Sequence, residues 1–321
     1  MKSIRSLVAA VLAVASFGAG AQAFPSKPIR IVVPFPAGGS VDALARLIGP
    51  KMSESMGQPV IVENRPGGGA VIGAEVVARS PADGYTMMLI PNALAIFPAL
   101  YRKLPFDPVK DFTPVTQLIA TELVLVATPK LTATNLRDAV AQAKANPNKM
   151  SYGSTGVANP LHLSMELFKF VAGIQVEPIP YKGDAQLNTA LMSGELELSV
   201  VPLSGAQTLI RSGKLRALGI TGGKRSISMP EIPTIAEQGY PGFDSSSWQG
   251  LFAPAATPKD IVQRLSAESV KGLKSPDVLQ RLPALGQVPV GSTPDEFEAQ
   301  FKSDVAKFIR IVREAKLPMQ D

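Results

Sequence analysis

The amino-acid sequence predicts an α/β fold in two lobes, on three observations. From residue 28 onward, short runs of β-branched residues alternate with helical patterns, the rhythm of βαβ units with largely parallel sheet. A strongly apolar run, Leu123–Thr128, ends at Pro129 and opens a second such series. From Arg225 to Pro258 the texture changes: prolines at 230, 233, 241, 254 and 258 with glycines at 239, 242 and 250 read as a long extended crossing and not a third domain. The order that fits is a first lobe, a crossing, a second lobe and a crossing back. Residues 24–122 with 235–321 form the first lobe, and 123–234 the second.

The chain begins with a segment outside that fold. Lys2 and Arg5 precede an apolar run from Leu7 to Phe17, and Ala21-Gln22-Ala23 offers small residues for a signal peptidase. This predicts a secretory signal peptide over 1–23 and an exported, periplasmic product. No later segment is apolar for long enough to cross a bilayer, and no lipobox cysteine suggests a lipid anchor.

In the first lobe, strands are expected near 28–33, 59–63 and 85–90, with helices near 41–55 and 70–79 between them. The second should hold a helix near 135–145, a strand near 150–152 and a helix near 161–172. Strands near 175–179, 197–201 and 215–220 follow, with helices between. Two helices close the chain. Thr257-Pro258 and Thr293-Pro294 each place a hydroxyl before an N1 proline, and Glu296 completes a capping box with Thr293. The last helix sets Phe297, Phe301, Val305, Phe308 and Val312 on one face.

Composition excludes several chemistries. Cysteine is absent from the 321 residues, so disulfides and thiolate metal sites are ruled out. A single histidine, His162, argues against a zinc centre or a serine–histidine triad. The net charge of +6 falls to +4 once Lys2 and Arg5 leave, and the basic residues are scattered, unlike a nucleic-acid stripe. Nothing points to a cofactor. There is no G-x-S-x-G elbow, Walker motif or H-E-x-x-H, which leaves an enzyme built on carboxylates alone as the rival class.

The residues that draw attention lie at helix starts. In IVVPFPAGGSVDALARLI, residues 31–48, a strand runs into Phe35 and Pro36, then Ala37, Gly38, Gly39 and Ser40, and a helix follows with Asp42 in its first turn. The first N–H groups of a helix lack internal partners and carry partial positive charge, so such a mouth binds a carboxylate without a cationic side chain. Glycines here let a ligand approach the backbone. Ser40 is expected to be the N-cap. On this stretch alone, ligand site and simple turn stand level. The second lobe repeats the design at 150–163, MSYGSTGVANPLHL, with Ser154, Thr155 and Gly156 before a helix opened by Asn159-Pro160. His162, in the first turn of that helix, is expected to brace the loop. A third Gly-rich loop, ENRPGGGAVIG at 63–73, misses the dinucleotide spacing and reads as a structural turn. In PYKGDAQLNTAL, 180–191, Lys182, Gly183 and Asp184 precede a helix; Lys182 would add positive potential, and Asp184 would cap or disfavour a second ligand carboxylate. Asn92, after the third strand, joins the candidate ligand set. Trp248 is expected in the core.

Taken together, PIRIVVPFPAGGSVDALAR, VENRPGGGAVIGAEVVARSPADGYT, LPFDPVKDFTPV, GSTG with HL, PYKG and PTIAEQGYPGFDSSSWQGLFAPAATP resemble the Bug-type solute receptors of tripartite tricarboxylate transporters. The resemblance runs from about Pro28 to the C-terminus. It implies a two-lobed fold of the type II periplasmic-binding-protein kind, each lobe a mixed sheet flanked by helices with a ligand cleft between, and no catalysis. It further implies that backbone amides and ordered water hold the ligand carboxylates at Pro36–Ser40 and Asp42 in one lobe and at Ser154, Thr155, Gly156 and His162 in the other. Membrane permease subunits would be the partners and the receptor a monomer, though one reporting to a sensor protein would look the same. The chain departs from the family pattern at Asp184-Ala185-Gln186, at Leu196-Glu197 and near Phe97, which bears on the distal end of the ligand.

Overall fold

A computed structural model describes residues 24–154, 160–181, 184–314 and 319–320; residues 1–23, expected to be a signal peptide, lie outside this range. The first lobe opens with β1 (Ile29–Val33), α1 (Ser40–Met56), β2 (Val60–Asn64), α2 (Val71–Ala78), β3 (Thr86–Pro91) and α3 (Ala93–Leu100). β1 lies between β2 and β3, parallel to both. A strand flanked on both edges and covered on both faces can be apolar throughout, which is why IRIVV lacks alternation. β2 is the sheet edge and leaves Ile61 53% exposed.

α1 buries Val41, Leu44, Ala45, Ile48 and Met52 as one stripe. It stops at Gly57, whose φ of 70° makes the left-handed turn and returns its N–H to the Ser53 carbonyl.

The sheet is mixed because the chain returns to it. β4 (Phe112–Thr121) leaves the first lobe, and β10 (Ser247–Pro254) comes back antiparallel between β3 and β4. With β11 (Gln287–Pro289) the order becomes β11-β4-β10-β3-β1-β2. The segment read as an extended crossing thus contains a central strand. Most of its prolines and glycines flank SWQGLFAP, which itself holds Gly250 and Pro254 and whose seven residues from Trp248 are all buried. Gly250 is needed there, since a Cβ would stand 2.2 Å from Cζ of Phe297.

The second sheet, β7-β6-β8-β5-β9, comprises β5 (Leu123–Ala127), β6 (Ser151–Ser154), β7 (Glu177–Pro180), β8 (Leu198–Pro202) and β9 (Arg216–Ile220). β5 runs antiparallel to β8 and β9, and β6 parallel to β7 and β8. Its helices are α4 (Leu136–Ala145), α5 (Pro160–Ala172), α6 (Asp184–Ser193) and α7 (Leu203–Arg211). Only Glu122 separates β4 from β5, so the chain changes sheets at a single residue. The return crossing is laced to that point: Thr221 N–H donates to the Leu123 carbonyl, and Ser245 N–H to the Thr221 carbonyl.

α8 (Lys259–Leu273), a short α9 (Pro276–Arg281) and α10 (Pro294–Glu314) end the described chain. Of the two predicted caps, only one forms. Glu296 accepts from the Thr293 N–H at 2.9 Å and returns its own N–H to Thr293 Oγ1. Thr257 instead donates its hydroxyl to the Pro254 carbonyl, and Pro258 is the N-cap of α8. α10 buries the predicted face, with Phe297 edge-on to Trp248 at 5.0 Å between centroids. Trp248 is core, 1% exposed, and its indole N–H donates to Asp304 at 2.7 Å. No helix among the described residues is long and apolar enough to cross a membrane.

Candidate functional site

Gly38, at φ +87°, turns the chain between β1 and α1, and residues 36–40 lie exposed above a buried first turn. The shape of this turn comes from a carboxylate beneath it. Asp42, 3% exposed, accepts from the Gly38 N–H at 2.9 Å, from Arg46 Nε at 3.0 and 3.1 Å, and from Asn64 Nδ2 at 2.9 Å. Asn64 Nδ2 also reaches the Phe35 carbonyl, and Arg46 donates to Asn64 Oδ1 at 3.0 Å. Burial alone would push the Asp42 carboxyl up, but the bonds from Arg46, Gly38 and Asn64 outweigh it and hold it below the ordinary aspartate range. Asp42 therefore lies beneath the mouth and faces its own loop, and Gly38 gives its N–H to that carboxylate.

Ser40 is not the cap expected. The N-cap is Gly39, and no side chain caps the helix. The Ser40 hydroxyl accepts from Gln249 Nε2 at 3.2 Å, and its carbonyl from Gln287 Nε2 at 3.4 Å. Both glutamines are buried, and each Oε1 lacks a hydrogen-bond partner among the described residues. The β4–β10 register shifts between Gln249 and Gly250, an irregularity of the kind that re-aims a side chain. The first helical bond of α1 runs from Ala43 N–H to the Gly39 carbonyl, so the amides of Ser40, Val41 and Asp42 precede it without a helical acceptor. Arg46, the nearby cation, is engaged with Asp42.

Asn64, Gln249 and Gln287 went unnoticed in the sequence. The available signal was a polar residue closing VIVEN, within SWQGLFAP or opening QVP. Asn92 is 2% exposed; its N–H donates to the Trp248 carbonyl and its Oδ1 accepts from Ser247. Phe35 is partly buried against two hydrophobic clusters, one within the first lobe and one that extends into the second.

In the second lobe, β6 delivers Ser154, 5% exposed, to the start of α5. Thr155, Gly156, Lys182 and Gly183 lie outside the described residues; Asp184 begins α6, but its side chain lies outside them too. Tyr181 N–H donates to the Ser154 carbonyl at 2.8 Å, so the chain after β7 leaves the sheet beside Ser154. His162 is 4% exposed, with Nδ1 at 3.0 Å from Ser154 Oγ and 3.1 Å from Tyr152 Oη. Tyr152 donates to Glu166, which Lys169 pairs at 2.7 Å. Burial foremost pushes the imidazole pKa down; Glu166 opposes this and Lys169 adds to it. His162 thus ties the first turn of α5 to the end of β6 through Ser154 and Tyr152. Glu197, one of the departures from the family pattern, accepts the N–H and hydroxyl of Ser151 at 2.7 Å and so anchors β6.

The Gly-rich loop at 63–73 is a packing device. Gly67, Gly68 and Gly69 all have positive φ, and a Cβ on Gly73 would meet the Arg65 carbonyl at 2.8 Å. A cavity of about 650 Å³ lies at the lobe crossing, among Glu122, Leu123, Gly222, Lys224 and Ser246, and none of the candidate ligand residues lines it.

Comparison with known proteins supplies the context for this geometry. The model of the tripartite tricarboxylate transporter family receptor matches residues 44–317. Protein BugT of Bordetella pertussis is 35% identical over 98% of this chain and 98% of its own. A solved periplasmic transporter is 38% identical, with a TM-score of 0.75 over 93% of this chain and 100% of that one. A Rhodopseudomonas palustris protein solved with adipate is 33% identical, with a TM-score of 0.75 over 92% of this chain and 100% of that one. Another from the same organism, MatC with bound malate, is 30% identical with a TM-score of 0.72 over 90% and 100%. With two mixed sheets joined through Glu122 and a family match over most of its length, the chain belongs to the tripartite tricarboxylate transporter receptors, a family of periplasmic solute-binding proteins.

Proposed function

We propose that this protein is exported by its first 23 residues, captures a small organic carboxylate between its lobes and delivers it to a membrane transporter. The observation that carries the reading is the exposed Pro36–Ser40 turn, held from below by Asp42, with the amides of Ser40, Val41 and Asp42 preceding the first helical bond. A helix start of this kind attracts a carboxylate through dipoles fixed before the ligand arrives. Asp42 adds little repulsion because Arg46 neutralises it at 3.0 Å. The adipate and malate bound by related proteins are carboxylates, which supports the same ligand class here.

The lobes, 24–122 with 235–321 and 123–234, would close over the ligand about Glu122 and the Thr221–Ser245 crossing. Ligand favours the closed form by the contacts it makes only there. Charge-assisted bonds of about 1.5–3 kcal/mol each, after entropy losses, are enough for micromolar binding.

A thermal-shift screen of carboxylates, including adipate and malate, tests the reading. Ligand at 100 times its dissociation constant adds about 2.7 kcal/mol of stability. Gly39→Val should abolish binding with the fold intact. Gly39 sits at φ −78°, and a Cβ there meets only the Pro36 carbonyl at 3.7 Å, so the larger side chain fills the mouth and not the core. If no carboxylate raises the melting temperature, or if Gly39→Val binds like the wild type in calorimetry, the reading fails. Crosslinking to transporter subunits in membranes tests delivery.

A further inference from the structure

Two polar side chains at the start of β10 share one face of the strand. Ser247 and Gln249 stand two residues apart, and Trp248 between them turns the other way, edge-on to Phe297. Each touches a different candidate ligand residue. Ser247 donates its hydroxyl to Asn92 Oδ1 at 3.3 Å, and Gln249 donates from Nε2 to Ser40 Oγ at 3.2 Å. The far end of the Gln249 amide decides which way round it lies. Its Oε1 is enclosed without a hydrogen-bond partner among the described residues. Turned over, the amide would enclose an NH₂ group there, two unmatched hydrogens in place of one oxygen, which costs more. Nε2 therefore faces Ser40, whose oxygen receives a hydrogen. The hydrogen of that serine has no acceptor among the described residues, and Ser40 stands exposed at the mouth. Asn92 follows the same pattern. Ser247 occupies its carbonyl oxygen and its backbone N–H goes to the Trp248 carbonyl, so the hydrogens of Nδ2 have no acceptor among the described residues in a side chain 2% exposed.

We propose that Ser247 and Gln249 are positioning residues of the carboxylate site: from one face of β10 they take up the oxygens of Asn92 and Ser40, leaving the hydrogens of both for acceptor oxygens of the ligand. For its ligand this rests on the receptor reading. It adds two side-chain donors to the amides of the helix start and puts their orientation under the strand that follows the return crossing. A hydroxyl that already accepts from Gln249 is also polarised towards donating, which strengthens its bond to a carboxylate.

Calorimetry with the best ligand of the carboxylate screen tests this in two double-mutant cycles. Ser40→Ala should weaken binding at least about tenfold, the worth of one hydrogen bond to a charged group. Gln249→Met keeps the length of the side chain and removes its donor. It should weaken binding about three- to tenfold, the worth of one neutral hydrogen bond, by leaving the hydroxyl unoriented. Because Gln249 acts through Ser40, Gln249→Met should cost no further affinity in the Ser40→Ala background. Ser247→Ala should likewise cost none in the Asn92→Ala background. A side chain that only packs the mouth would weaken binding equally in both backgrounds, and melting temperatures separate loss of fold from loss of affinity. Ser40 is exposed, so Ser40→Ala reads out the donor even where Gln249→Met does not fold. Full affinity in Ser40→Ala, or additive losses in either cycle, overturns the positioning roles and leaves the receptor reading standing. A wild type that binds no carboxylate overturns both.

Discussion

Replacing Asp42 by asparagine tests whether a buried carboxylate holds the first helix mouth in shape. The carboxylate serves three donors: Gly38 N–H, Asn64 Nδ2 and Arg46 Nε. Asparagine offers one oxygen and points an NH₂ group at whatever faces its other branch. Gly38 is exposed and can turn to water, whereas Asn64 is partly buried and cannot do so freely, so the amide should keep Asn64 and release Gly38. Losing a charge-assisted bond to Gly38 and the charge assistance to Asn64 costs about 2–3 kcal/mol, with Arg46 contributing little because it is half exposed. Urea unfolding at pH 7 should show a lower midpoint with an unchanged slope, and carboxylate affinity should drop because the turn at Gly38 loses its tether. The pH dependence has a definite sign. A carboxyl whose folded pKa is depressed stabilises the fold above the unfolded value, about 3.8, and that contribution is lost as pH falls through the folded pKa. The difference between wild type and variant should therefore shrink on acidification below that value. A variant as stable as the wild type at pH 7, or one whose deficit is undiminished in acid, would refute the scheme.

Three further outcomes are expected. Gly250→Ala should cost about 2–3 kcal/mol, because its Cβ would lie 2.2 and 2.5 Å from Phe297 ring atoms; adding Phe297→Leu should recover part of the loss, and strict additivity in urea melts would count against this contact. Trp248→Phe should cost about 3–4 kcal/mol by opening space beside Phe297 and removing a donor from Asp304, and a loss below about 1 kcal/mol would show that the pair is dispensable. His162 has a depressed folded pKa, so between that value and the ordinary 6.5 the unfolded chain binds more protons. Stability should then be complete above 6.5 and decline as pH drops below it, and urea midpoints between about pH 7.5 and 5 should be flatter for His162→Asn.

Much of this protein was determined locally by its sequence. β-branched runs became β1, β5 and β8, apolar stripes at helical spacing became α1 and α10, and Thr293 with Glu296 formed the cap their spacing announces. These rest on interactions between residues close in the chain, so sequence is sufficient to read them. The same holds for a helix mouth rich in glycine, since a positive φ at Gly38 is a local demand.

What tertiary structure decided lies wherever distant segments meet. β10 is a central strand although its surroundings read as an extended crossing, because pairing with β3 and β4 outweighs the turn chemistry on either side. Asn64, arriving on β2, closes the knot that makes Asp42 a brace and Gly38 its donor. Gln249 and Gln287, 209 and 247 residues from Ser40, both donate to that serine, which stands as the first helical residue after the N-cap Gly39. Polar side chains reveal their partners only when the fold removes water from around them, since a buried donor or acceptor must then be matched by whatever the packing brings near.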